Sequence, residues 1–167
     1  MTIGEQWAWK PDDKLKSTKE CIHTLLQTIG GDGNLLFNVG PMPDGRIEDL
    51  QLVILKEMGQ WLSINGEAVY GTRGGPYLPN AKMVSTHKEN KIYLHLLSKP
   101  GKKLVLPLHG GIIVESARFL QDDKALKVSQ DTETLSLNLP GKLPDEVATV
   151  IELTLDRPAS EIDLIKL

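Results

Sequence analysis

The 167 residues are enough for one domain of ordinary size, or for a short piece of one domain joined to a small second one. A hydrophobic share of 40% and a charged share of 25% suit a folded protein, and no run approaches the ~18–20 apolar residues that cross a membrane. The net charge of −3 argues against nucleic acid as a partner, because that needs a basic face to displace counterions.

Met1 to Trp9 shows no cationic cluster followed by an apolar run, so no signal peptide is visible there. Pro11-Asp12-Asp13 predicts a helix start, since a carboxylate accepts free amide protons of a first turn. Leu15, Ile22, Leu25 and Ile29 recur at helical spacing, and Gly30-Gly31 stops the helix. The lone Cys21 excludes an intrachain disulfide and reads as a packing residue. Asn34-Leu35-Leu36-Phe37-Asn38-Val39 is too short for a helix and does not alternate. It predicts a strand covered on both faces, as in a parallel sheet. Pro41 and Pro43-Asp44-Gly45 turn the chain. A second helix then carries Ile47, Leu50, Ile54, Met58, Trp61 and Leu62 on its inner face and ends at Asn65-Gly66.

Helix, parallel-type strand, helix is a unit of an α/β fold. A complete eight-stranded barrel needs about 250 residues, so residues 1–70 read as an excerpt from a larger sheet. After Tyr70 the period becomes two. Lys91 to Leu96, Leu135 to Leu139 and Ile151 to Leu155 alternate, with weaker strand patterns over Lys103 to Leu108 and Ile112 to Leu120. Turn clusters separate them, which predicts an antiparallel β-sandwich over 78–167 with one wet and one dry face per sheet. Residues 71–77, rich in glycine and closed by Pro76, form the expected linker.

Three stretches resemble glycoside hydrolase family twenty-nine, the α-L-fucosidases. Thr2 to Asp12 looks like the loop after the seventh barrel strand, where Trp-Gly-Tyr-Asn-Pro-Asp is usual; Ala8 and Trp9 depart from that pattern. Gly33 to Ile47 is similar to the eighth strand and its turn, and Gly66 to Arg73 to the exit from the last barrel helix. Ser85 to Lys88 and Ile92 to His95 are similar to the first strands of the family's β domain. The resemblance implies the last helix-strand-helix part of a (β/α)8 barrel followed by an antiparallel β-sandwich. It also implies hydrolysis of terminal α-L-fucose from glycans by a retaining mechanism, without metal or organic cofactor, in a periplasmic, secreted or lysosomal parent. The family's aspartate nucleophile and glutamate acid/base map to no position here. The isolated chain is therefore expected to be inactive, and to meet either the rest of the barrel or another copy of itself.

The visible acids fit structural duties better than catalysis. Asp12, Asp13, Glu48 and Asp49 sit at predicted helix starts, Asp44 sits in a turn, and Glu5 is a loop residue. Trp7 lies in a loop after a barrel strand, where active sites are built. Two roles stand for it: an indole face covering the C–H patch and methyl of fucose, or a pin holding the loop to the barrel. Trp9 carries the same two readings, and Asn38 is either a sugar contact or a support behind the pocket. Trp61 belongs to the helix stripe and reads as core. His23, His87, His95 and His109 share no ligand spacing and read as ordinary histidines. Rival readings are a carbohydrate-binding or structural sandwich, which would display a row of exposed aromatics though only Tyr93 and Phe119 lie on predicted strands, and a piece of another barrel glycosidase.

Overall fold

The computed structural model describes residues 1–108 and 110–167; His109, expected before a glycine turn, lies outside them. The first helix, α1, spans Thr18–Gly30 and not the stretch from Asp12 onward. Its cap is Ser17, whose hydroxyl accepts from the Glu20 amide while the Glu20 carboxylate accepts from the Ser17 amide at 2.8 Å. This reciprocal box satisfies two orphan donors of the first turn, and the hydrogen bonds to Ser17 hold the Glu20 carboxyl below its usual range. Helix α2 spans Asp49–Asn65 and passes into a 3-10 turn over Gly66–Ala68. Met58 and Trp61 are buried on it as predicted, but Leu50 faces outward at 64% exposure and Gln51 takes an inner position instead. The inward stripe starts one residue later than the apolar pattern implied.

Residues 34–39 do not form the predicted strand; among the described residues their one ladder contact is a parallel bridge between Thr2 and Asn38. The Ile3 amide donates to the Asn38 carbonyl at 3.0 Å, and the Asn38 amide to the Met1 carbonyl at 2.9 Å. The parallel sense agrees with the predicted barrel unit. Burial on both faces does not hold: Leu36 is 75% exposed, and Phe37 and Val39 are half-buried against the helices. A strand is buried by neighbours on either side and above it, and within these residues only Met1–Ile3 lies alongside.

Among the described residues eight strands follow: β1 (Arg73–Gly74), β2 (Met83–Lys88), β3 (Lys91–Leu96), β4 (Lys103–Pro107), β5 (Val114–Phe119), β6 (Val128–Gln130), β7 (Thr134–Asn138) and β8 (Thr149–Leu155). They pair antiparallel into a five-stranded sheet ordered β1-β2-β3-β8-β5 and a three-stranded sheet ordered β4-β7-β6. Ile92, Leu94, Phe119, Leu135, Leu137, Ile151 and Leu153 fill the core between the sheets. The expectation of one wet face per sheet fails for the larger one. Its other face meets the helices, where Val84, Tyr93 and Val150 join Ile3, Cys21, Ile22, Leu26, Met58 and Trp61 in a second core. The Trp61 indole donates to the Ala148 carbonyl at 3.2 Å across that seam.

Among the polar groups buried on the helix-facing side, the Glu152 carboxylate is paired, as burial demands, whereas Gln51 Oε1 and His95 Nδ1 have no partner among the described residues. Glu152 accepts from Arg118 at 2.9 and 3.0 Å and from Lys91 at 3.1 Å. Lys91 and the Tyr93 hydroxyl both donate to Glu67, in the 3-10 turn after α2. Lys91 in turn holds the Glu67 carboxyl below its usual range. Among the described residues no helix is long and apolar enough to cross a membrane.

Candidate functional site

The parallel pair delivers two loops to its carboxyl end: residues 4–13 after Met1–Ile3, and residues 39–47 after Asn38. They are locked together. The Asn38 side-chain amide donates to the Trp7 carbonyl at 2.9 Å and to the Thr2 hydroxyl at 3.1 Å, and that hydroxyl donates to the Gln6 carbonyl at 3.2 Å. Gly40 lets the loops approach, since a Cβ there would lie 2.5 Å from the Trp9 amide nitrogen.

Trp7, Trp9 and Asn38, separated by up to 31 residues in sequence, thus meet in one place. The Trp7 indole is 64% exposed while its backbone is held. A flat apolar ring presented on a fixed main chain can stack on a sugar's C–H face. Trp9 is half-buried, and its indole N–H is enclosed with no hydrogen-bond partner among the described residues. Asn38 is half-buried, with its side-chain amide turned to the loop backbone.

The acids weighed above separate clearly. Glu5 points to solvent. Asp44 pairs with Arg46, whose guanidinium and amide keep its carboxyl below the usual range. Glu48 and Asp49 do open α2. Asp12 and Asp13 do not cap a helix. Asp12 takes a positive φ of 57° in the turn, and Asp13 accepts from the amides of Glu5 and Gln6. Sequence reasoning missed this role because the link between Asp13 and Gly4-Glu5-Gln6 exists only once the loop has closed.

The histidines are dispersed. His23 contacts the Val147 carbonyl at 2.7 Å, His87 is half-buried on β2, and His95 is fully buried against Thr86. Among the described residues, no three His, Cys, Asp or Glu side chains converge as a metal site would require. Tyr93 and Phe119 are both buried, so neither offers a stacking platform on the sandwich.

A parallel bridge with a loop tryptophan at its carboxyl end, backed by two helices and carried on a β-sandwich, suits the closing part of a (β/α)8 barrel followed by a sandwich. Comparison with known proteins gives the same answer. The family profile described as alpha-L-fucosidase matches residues 1–67. Human tissue α-L-fucosidase is 32% identical over 163 residues, covering 89% of this chain and 34% of the human protein. Among solved structures, α-L-fucosidase isoenzyme 1 from Paenibacillus thiaminolyticus superposes with a TM-score of 0.82 at 32% identity, over 93% of this chain and 39% of that one. A Bacteroides thetaiotaomicron α-L-fucosidase, described as a trapped covalent intermediate with 2-fluoro-fucosyl fluoride, gives 0.84 at 26% identity, over 93% and 37%. The chain belongs to the α-L-fucosidase family, and it spans just over a third of the length of these relatives.

Proposed function

We propose that the chain acts as the carboxyl-terminal part of a retaining α-L-fucosidase that removes terminal α-L-fucose from glycans. Its carboxylate nucleophile and acid/base, about 5–5.5 Å apart in retaining enzymes, would be supplied outside residues 1–167. The observation that carries this reading is the Trp7 loop: an outward indole, on a backbone pinned by Asn38, at the carboxyl end of a parallel pair. In this reading Trp7 covers the apolar side of fucose, Trp9 lines the same wall, and Asn38 fixes the loop that carries them. Residues 1–70 close the barrel, 71–77 join it to the sandwich, and 78–167 brace it from behind. The covalent intermediate described for the Bacteroides relative supports the retaining mechanism. The exposed side chains of Leu36, Leu50, Leu52 and Val53 suit a surface that meets the rest of a barrel. Burial of Tyr93 and Phe119 speaks against a sandwich that binds sugar by itself.

The test joins this chain to the amino-terminal portion of the Paenibacillus enzyme that it does not match. The isolated chain should not turn over 4-nitrophenyl α-L-fucoside. The fused protein should, with a raised KM when Trp7 is replaced by alanine. Turnover by the isolated chain, or a folded fusion without turnover, would overturn the proposal.

A further inference from the structure

The backbone of the Trp7 loop is gripped from both sides at Gly4. Asp13 Oδ2 accepts from the Glu5 amide at 3.0 Å and the Gln6 amide at 3.2 Å. Lys16 Nζ donates to the Thr2 carbonyl at 2.9 Å and the Gly4 carbonyl at 2.8 Å. A carboxylate thus takes the donors on one side of the loop and an ammonium the acceptors on the other, both through charge-assisted bonds. The carboxylate occupies room that only glycine leaves: a Cβ on Gly4 would lie 2.1 Å from Asp13 Oδ2. Asp13 has no helix to cap, because α1 begins at Thr18 under its own Ser17–Glu20 box.

With the Thr2 hydroxyl on the Gln6 carbonyl and Asn38 on the Trp7 carbonyl, the Ile3, Glu5 and Gln6 amides and the Thr2, Ile3, Gly4, Gln6 and Trp7 carbonyls are committed before any sugar arrives. The geometry points to Asp13 as a positioning residue that sets the Trp7 indole in advance, with Lys16 as its counterpart across the loop. The inference rests on the reading that Trp7 meets fucose. A pre-ordered loop loses little freedom on binding, so more of the stacking energy remains as affinity. Glu5 and Gln6 are exposed, so water can replace the carboxylate at their amides. Losing Asp13 should therefore loosen the loop without weakening the fold as a whole.

The experiment uses the full chain, isotope-labelled for NMR, as native protein, Asp13→Ala and Asp13→Asn. Amide exchange at Glu5 and Gln6 should be about tenfold faster in Asp13→Ala, the size expected for losing a charge-assisted bond. The Trp61 indole signal and the denaturation midpoint should stay where they are. Asp13→Asn keeps an oxygen at the same place and should recover most of the protection. Titration with L-fucose should move the Trp7 indole signal in the native chain and in Asp13→Asn, and move it less in Asp13→Ala. Exchange unchanged in Asp13→Ala overturns the clamp, and faster exchange with an undiminished fucose response overturns its role in positioning. A native Trp7 signal indifferent to L-fucose overturns the substrate reading and the positioning role with it, while the exchange rates still decide whether the clamp exists.

Discussion

Asn38 reaches 31 residues back along the chain to hold the Trp7 carbonyl at 2.9 Å. The bond couples the segment at 34–39 to the loop that presents the indole. Replacing Asn38 by alanine removes this bond and the one to Thr2, at an expected cost of about 1 kcal/mol in urea unfolding. Aspartate should be no better, since it has no proton to donate to a carbonyl. Native-like stability in both variants would mean that segment and loop are not coupled.

Trp61 joins the helices to the larger sheet through its buried ring and its bond to the Ala148 carbonyl. Trp61→Ala should cost about 3–5 kcal/mol, as large-to-small changes in a core do. The helices and the larger sheet should still unfold together. Two separated transitions in the native chain would show that the helical segment and the sandwich fold independently.

Much of this is legible in the sequence. Ile92, Leu94 and Leu96 alternate because they face the inter-sheet core, and Met58 and Trp61 fell on the expected stripe. What hid the covered outer face of the larger sheet was its polar side chains. Thr86, His95 and Glu152 look like solvent positions in the sequence, yet each is buried with a partner. The start of α1 differs from the expected one although its signal is present: Ser17-Thr18-Lys19-Glu20 is a capping-box sequence, and Pro11-Asp12-Asp13 imitates a helix start upstream. Strand β6, three residues long with one apolar side chain, left no period to detect. The burial of residues 34–39 depends on neighbours, which no local pattern encodes. The site residues Trp7, Trp9 and Asn38 came from the family resemblance. Their meeting, and the hold of Asp13 on the loop, depend on contacts between distant residues.

His95 gives the fold a pH dependence. It is fully buried on β3 beside Thr86, and burial lowers its pKa from the ordinary 6.5 to about 3. The folded state therefore keeps the ring neutral where the unfolded chain would protonate it. The stabilisation is complete above pH ~6.5 and is lost as pH falls toward ~3, by up to about 1.4 kcal/mol per unit. His95→Gln should flatten this slope. Urea midpoints at pH 7 and pH 4.5 that fall equally in both proteins would contradict it.

Leu50 and Val53, one turn apart on α2, stand exposed on the same side of the helix, and Leu36 and Leu52 are exposed elsewhere. Such a patch favours association, so the isolated chain should sediment as a dimer or larger. Leu50→Lys with Val53→Lys should shift it toward monomer. A native chain that sediments as a monomer at every concentration would show that this surface needs no cover.

The account stands on residues 34–39 lying parallel to Met1–Ile3, as one barrel strand lies beside the next. Cross-strand NMR contacts on the labelled chain measure this directly. They should pair Thr2 with Asn38 in parallel register, with slow exchange at the Ile3 and Asn38 amides. Antiparallel contacts, or helical shifts over Asn34 to Val39, would contradict it.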